Sequence, residues 1–258
     1  MSLYCVLGDI HGPWLNQRRL DLVLDIAQDL DCSHIIINGD CLDFYHLNSY
    51  GPKHADVQTI LEDEIYWGQE FLKSLRKRFP KKGIIFLFGN HEYRLDRFIM
   101  KHCPAFWNFL KLEKMLNLED LNIEWLPYNE RYQIEKTQLF VQHSPPSYSD
   151  NLANTSMKKK MDQDHIWNCA HRTDMVARTG SSGKIYTSYI NGWFGSTGII
   201  GKNQREMPEN RRVFSFTKNH ESWNSSFCLV GVDGKNHYVE QVLIKDYTAM
   251  VGGNLYEG

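Results

Sequence analysis

No apolar run in this 258-residue chain comes near the ~20 residues that span a bilayer; the densest are Ile35-Ile36-Ile37 and the stretch 84–88. The start of the chain lacks a basic segment, and Gly8-Asp9 interrupts its apolar residues early, so neither a membrane span nor a secretory leader is expected. Cysteine is scarce. The six (Cys5, Cys32, Cys41, Cys103, Cys169, Cys228) are scattered with no CxxC pair, which excludes a disulfide scaffold and predicts reduced thiols in a cytoplasmic protein. An excess of one charge is also lacking: 29 Lys and Arg against 31 Asp and Glu give a net charge of −2. Coating nucleic acid through bulk charge is thereby excluded, although a local basic groove is not. There is no internal repeat and no low-complexity tract.

What is there is a recurring pairing of apolar strand and polar strand end. Leu3 to Leu7 runs into Gly8-Asp9-Ile10-His11-Gly12, His34 to Ile37 into Asn38-Gly39-Asp40-Cys41-Leu42-Asp43, and Ile84 to Phe88 into Gly89-Asn90-His91-Glu92. Short continuous apolar runs closed by turn residues are the signature of buried strands. Helical spacing lies between them: Leu20, Val23, Leu24, Ala27, Leu30, then Ile60, Leu61, Ile65, Trp67, Phe71, Leu72, Leu75. Strand, helix, strand, helix, strand predicts an α/β chain with parallel strands, whose ligands sit beyond the strand carboxyl ends. Helices are expected at 94–101 and 106–118, and strands near 123–126, 131–134, 139–142, 184–190, 213–216, 227–232 and 238–244. Gly231 to Gly234 carries a hairpin turn. The span 144–165 is polar, with Pro145-Pro146, and is expected to be an insertion loop in a single domain covering 1–258.

Each strand end delivers Asp, Asn or His. Further on, Val141-Gln142 leads into His143 and the run 166–170 into His171. Oxygen and imidazole donors without thiolates suit Mn, Fe or Zn better than copper. One Asp-x-His alone is weak evidence; five such ends on one sheet edge argue for a metal site.

Gly8-Asp9-Ile10-His11-Gly12, Gly39-Asp40-Cys41-Leu42-Asp43, Gly89-Asn90-His91-Glu92, His143 and Ala170-His171-Arg172-Thr173 resemble, in this order, the motifs of the calcineurin-like metallophosphoesterase superfamily. The resemblance extends over about residues 4–195, and Tyr93-Arg94 and Phe44-Tyr45 after the motifs look most like its phage and bacterial members. It implies a four-layer αββα β-sandwich flanked by helices, with two divalent ions, Mn foremost and Fe or Zn as alternatives, at the strand ends. Asp9 and His11 would hold one ion, Asn90, His143 and His171 the other, and Asp40 would bridge them. His91 would serve as catalytic acid over the substrate, oriented by Asp43. Two ions about 3.5–4 Å apart need a shared anion, and they acidify a water for attack on a phosphate ester.

Two departures stand out. Thr173 occupies the place of a second His that many relatives carry, and Phe44 the place of an arginine with which the protein-phosphatase branch grips phosphate. Arg94 and Arg172 are candidates for substitute phosphate binders. The expected substrate is a phosphate ester, leaning to a phosphodiester such as a nucleotide or nucleic acid. A monoesterase or protein phosphatase, and an inactive scaffold of the same fold, are the alternatives. Trp14, Trp193, His46, His165 and Lys158-Lys159-Lys160 could line the site, but core packing or solvated charge explains each more plainly. Oligomeric state is not legible.

Overall fold

The computed structural model describes residues 1–47, 57–146, 153–154, 156, 163–195 and 223–258. Two sheets are stacked face to face. The first has eight strands in the order β13-β12-β11-β10-β1-β2-β3-β4, and the second five in the order β5-β6-β7-β9-β8. In the first, β1 (Ser2–Leu7), β2 (His34–Asn38), β3 (Gly83–Leu87) and β4 (Glu124–Leu126) run parallel. An antiparallel meander of β10 (Ser225–Asp233), β11 (Asn236–Lys245), β12 (Thr248–Val251) and β13 (Asn254–Glu257) joins at β1. The second sheet comprises β5 (Tyr132–Gln133), β6 (Leu139–Val141), β7 (Asp164–Trp167), β8 (Asp174–Thr179) and β9 (Ile185–Ile190).

Alternation along the strands builds the layers. Tyr4, Val6, Ile36, Ile85 and Leu87 face Leu139, Val141 and Ile166 of the second sheet. Their neighbours Cys5, Leu7, Ile35, Ile37, Ile84 and Phe86 face the helices α1 (Gln17–Asp29), α2 (Val57–Arg78), α3 (Glu92–His102) and α4 (Leu112–Met115). Both sides of β1, β2 and β3 are therefore buried, which is why these strands read as unbroken apolar runs. On the outer face of the second sheet, Ala153 packs on Trp167 and Ile190. No described helix is long and apolar enough to cross a membrane.

Several expectations need correction. The helix expected over 106–118 shrinks to α4, because extended Lys111 separates it from a 3₁₀ turn at Pro104–Phe106 and Asn117 ends it at φ 54°. β7 begins at Asp164, inside the span expected to be an insertion loop, while β8, β12 and β13 had no sequence signal strong enough to name them. The strand expected at 213–216 and the lysines 158–160 lie outside the described residues.

Candidate metal centre

The parallel register of β1, β2 and β3 brings their carboxyl ends to one edge, and the parallel pairing of β6 and β7 brings the second sheet's ends beside them. Each loop leaving these strands turns at once. Asp9, His11, Asp40, Cys169 and His171 all adopt left-handed backbone, with φ of 52°, 55°, 50°, 67° and 59°. Such conformations cost non-glycine residues of order 1–3 kcal/mol each and persist where surrounding structure enforces them, typically at functional sites. Backbone bonds lace the loops together, with Asp9 N donating to Gly39 O at 3.0 Å and His11 N to Asp40 O at 2.9 Å. Gly39 permits the close approach of the sheets: at φ +78° its missing Cβ would fall 2.3 Å from His143 Nδ1.

Asp9, His11, Asp40 and His171 bring one donor atom each within 4.8 Å of one another, and Asp40, His143 and Cys169 form a second such group. Asn90 joins the second, its Oδ1 lying 3.0 Å from His143 Nε2 and 2.8 Å from Cys169 Sγ. Asp40 belongs to both. The resemblance placed His171 with Asn90 and His143; the structure places it 3.1 Å, Nε2 to Nε2, from His11. The residue beside Asn90 and His143 is Cys169, which the motif comparison passed over. The pair at the end of β7 is thus Cys169 and His171, two positions apart, not His171 and Thr173. Thr173 hydrogen-bonds Asn224 and Ser226 instead. The missed signal was where the strand stops: it ends at Trp167, so the first side chain delivered past Asn168 is Cys169.

The donor chemistry fits divalent cations. Asp9 Oδ1 and Asp40 Oδ2 are buried carboxylate oxygens with no hydrogen-bond partner, an arrangement proteins rarely leave uncompensated. Asp9 Oδ1 sits 4.0 Å from both His143 Nε2 and His171 Nε2. Burial pushes the Asp9 carboxyl up to about 7, with His143 opposing and Asp40 reinforcing. Burial acts on Asp40 in the same sense, but His143 and His91 outweigh it and hold Asp40 well below the usual carboxylate range. His143 is pushed well upward in return: burial disfavours its charge, but the Asp40 carboxylate prevails. Its imidazolium occupies the electrostatic role a cation would take over. His11 and His171 are both lowered, first by burial, so two neutral rings turn their Nε2 atoms on each other. With His11 Nδ1 donating to Asp43, His11 Nε2 accepts from His171 Nε2–H, a place a cation would take over. The far nitrogens are anchored, His11 Nδ1 on Asp43 Oδ1 at 2.8 Å and His143 Nδ1 on Asn38 O at 2.7 Å, the second support metal-binding histidines need.

Asp43 holds two rings, since its Oδ1 is also 2.9 Å from His91 Nδ1. Burial tends to raise the Asp43 carboxyl, but these two histidines drive it far down. His91 Nδ1 lies 2.6 Å from Asp43 O, and Arg94 donates from Nη2 to His91 Nε2 at 2.8 Å and from Nη1 to Asp43 O at 2.9 Å. The Arg94 bond requires a neutral ring with its proton on Nδ1, whereas Asp40 and Asp43 together, working against burial, raise His91 above its ordinary value. The ring therefore stands between two protonation states. Arg172 is half-buried on the turn after His171. Phe44 is buried among the helices' core residues, so no group at that position can grip a phosphate.

Glu92 received no role from its motif. It is buried at the foot of α3, where it accepts from Asp40 N (2.9 Å), Leu42 N (2.9 Å) and Gly89 N (2.7 Å), pinning the second and third loops together. Trp193 is buried behind the histidines, 5.2 Å from the His171 ring and 6.0 Å from His11, and Trp223 meets His171 edge-on at 4.2 Å. His165 points away on β7 and stacks on Trp167 at 4.6 Å.

A family model described as calcineurin-like phosphoesterase matches residues 4–238. No curated protein sequence matches. Among solved structures, Vacuolar Protein Sorting 29 from Cryptosporidium parvum aligns at a TM-score of 0.46 and 14% identity, covering 98% of this chain and 94% of that one. A dimetal phosphatase from Danio rerio aligns at 0.42 and 9%, covering 93% and 95%.

Proposed function

The chain belongs to the calcineurin-like phosphoesterase family, and on that premise we propose that it is an enzyme hydrolysing phosphate esters with two divalent ions, with phosphodiesters of the nucleotide or nucleic-acid class as substrates. The observation that carries this is the pair of fully buried carboxylate oxygens without hydrogen-bond partners, Asp9 Oδ1 and Asp40 Oδ2, set among His11, His143 and His171 with His91 alongside. A scaffold for protein contacts gains nothing from such unsatisfied charge, which costs stability.

When bound, the two ions supply Lewis acidity toward phosphoryl oxygens and bring the pKa of water near neutrality. Asp9, His11, Asp40 and His171 hold one, and Asp40, Asn90 and His143 belong to the other. His91 gives the leaving oxygen its proton from Nε2, while Asp43 keeps the ring turned by holding Nδ1. In the structure that Nε2 accepts from Arg94. A substrate phosphate is the anion that draws the guanidinium away, so binding would free Nε2 to take up a proton, and the resulting imidazolium, favoured by Asp40 and Asp43, is the form that donates to the leaving oxygen.

The lean toward diesters rests on phosphate grip. A monoester dianion gains most from a bidentate arginine. Phe44 is buried where that arginine would stand. The metal-loaded protein should cleave bis-para-nitrophenyl phosphate at least as well as para-nitrophenyl phosphate. A strong preference for the monoester, or efficient dephosphorylation of a phosphopeptide, overturns the diester assignment. Arg94→Ala and Arg172→Ala in the same assay locate any phosphate grip by a selective loss on the monoester.

A further inference from the structure

Cys169 places a sulfur where the rest of the site offers only oxygen and nitrogen. We propose that Cys169 is a thiolate ligand of the second cation, together with His143, Asn90 and the shared Asp40, and that this makes the second position take a thiophilic ion such as Zn²⁺ in preference to Mn²⁺. The inference rests on the two-ion reading above and goes beyond it in naming a ligand and an ion class.

Three independent observations meet here. The sulfur is 2.8 Å from Asn90 Oδ1, lies within 4.8 Å of donor atoms of Asp40 and His143, and hydrogen-bonds His143. The backbone of Cys169 is in the left-handed region at φ 67°, as are Asp9, His11, Asp40 and His171. Its N–H donates to Asp9 Oδ2 at 2.8 Å, which fixes the loop so that the side chain faces the cluster. Finally, the buried Asp40 carboxylate faces the same donor set, its Oδ1 lying 3.3 Å from His143 Nε2. The buried cysteines differ: Cys5, Cys32, Cys41 and Cys228 lie in the apolar core clusters, whereas Cys169 is partly exposed.

The two positions are therefore chemically unequal. The one built from Asp9, His11, Asp40 and His171 offers only carboxylate and imidazole, which suit harder ions including Mn²⁺. The one containing Cys169 adds a polarisable sulfur, which favours Zn²⁺ over Mn²⁺ beyond the general preference of any site. Neighbouring ions that differ in softness follow from one residue.

Metal-stripped protein titrated with Co²⁺ tests this without any assay of activity. Two Co²⁺ per chain with a thiolate-to-cobalt charge-transfer absorption is the expected result, and the band should appear with one of the two equivalents. In Cys169→Ser the band should vanish while one ion remains, and Zn²⁺ affinity at the other position should fall more than about tenfold, the loss that even groups behind a ligand can cause. In Cys169→His the two-ion stoichiometry should be kept without the band, and the ratio of Zn²⁺ to Mn²⁺ affinity should drop. Two Co²⁺ bound by the wild-type chain with no such band, or a band undiminished in Cys169→Ser, overturns the thiolate ligand and leaves the two-ion site standing. A wild-type chain that binds no Co²⁺ overturns both.

Discussion

Replacing Glu92 with Gln tests how the site is held in shape. Its Oε2 accepts from Gly89 N and Asp40 N, and its Oε1 accepts from Leu42 N. A glutamine has one accepting oxygen. In its better orientation the amide keeps the Oε2 pair and turns an N–H toward Leu42 N, so one bond is lost and the other two lose their charge assistance. A hydrogen bond to an ionised group contributes about 1.5–3 kcal/mol. Part of that is returned, because burial and the neighbouring Asp40 already raise the Glu92 carboxyl above its ordinary value, so removing its charge relieves a strain. The net cost is about 2 kcal/mol, which for a chain of this size lowers Tm by about 4–8 °C. The loops released carry Asp40 on one side and Asn90 on the other, so metal affinity should fall roughly 10–100-fold, as for groups that position ligands without touching the ion. Thermal or urea unfolding of the metal-free chain reads the first effect, and calorimetric metal titration reads the second. A Gln variant within about 0.5 kcal/mol of the wild type and equal to it in metal affinity would refute the clamp.

Three further outcomes are expected. His91→Asn should leave metal content intact and lower turnover roughly 100-fold or more, as for loss of a proton donor; metal analysis with steady-state rates checks it, and full activity would remove His91 from the chemistry. Asp40→Asn should reduce metal content, because the charge shared by both donor groups is gone; an unchanged two-ion stoichiometry by elemental analysis would contradict the bridging role. Gly39→Ala forces a Cβ to within 2.3 Å of His143 Nδ1 at a φ of +78°, and should cost more than about 1–3 kcal/mol, the price of left-handed strain alone. Denaturant unfolding measures it, and an alanine variant as stable as the wild type would mean that the sheets do not meet at Gly39.

The strand ends were legible because both faces of β1, β2 and β3 are buried, so each strand is written as an apolar run and its end as an abrupt change to Asp, Asn and His. Those residues lie within a few positions of one another in the chain, and parallel pairing is enough to align them. Long amphipathic helices such as α1 and α2 were legible for the same reason of periodicity. What the sequence left open was every relation across the fold. Cys169 reads as an ordinary small apolar residue between Asn168 and Ala170; only the docking of the second sheet's edge against the first sets its sulfur beside Asn90, about 80 positions earlier. His171 could be given to either cation position until the structure set it on His11. Glu92 reads as the first residue of a helix, and two of its three backbone partners, Asp40 and Leu42, come from another loop. Local pattern thus determined which residues stand at the strand ends. Which of them share a cation, and with what donor chemistry, was decided by the packing of two sheets, because coordination and buried charge depend on distances that chain spacing does not encode.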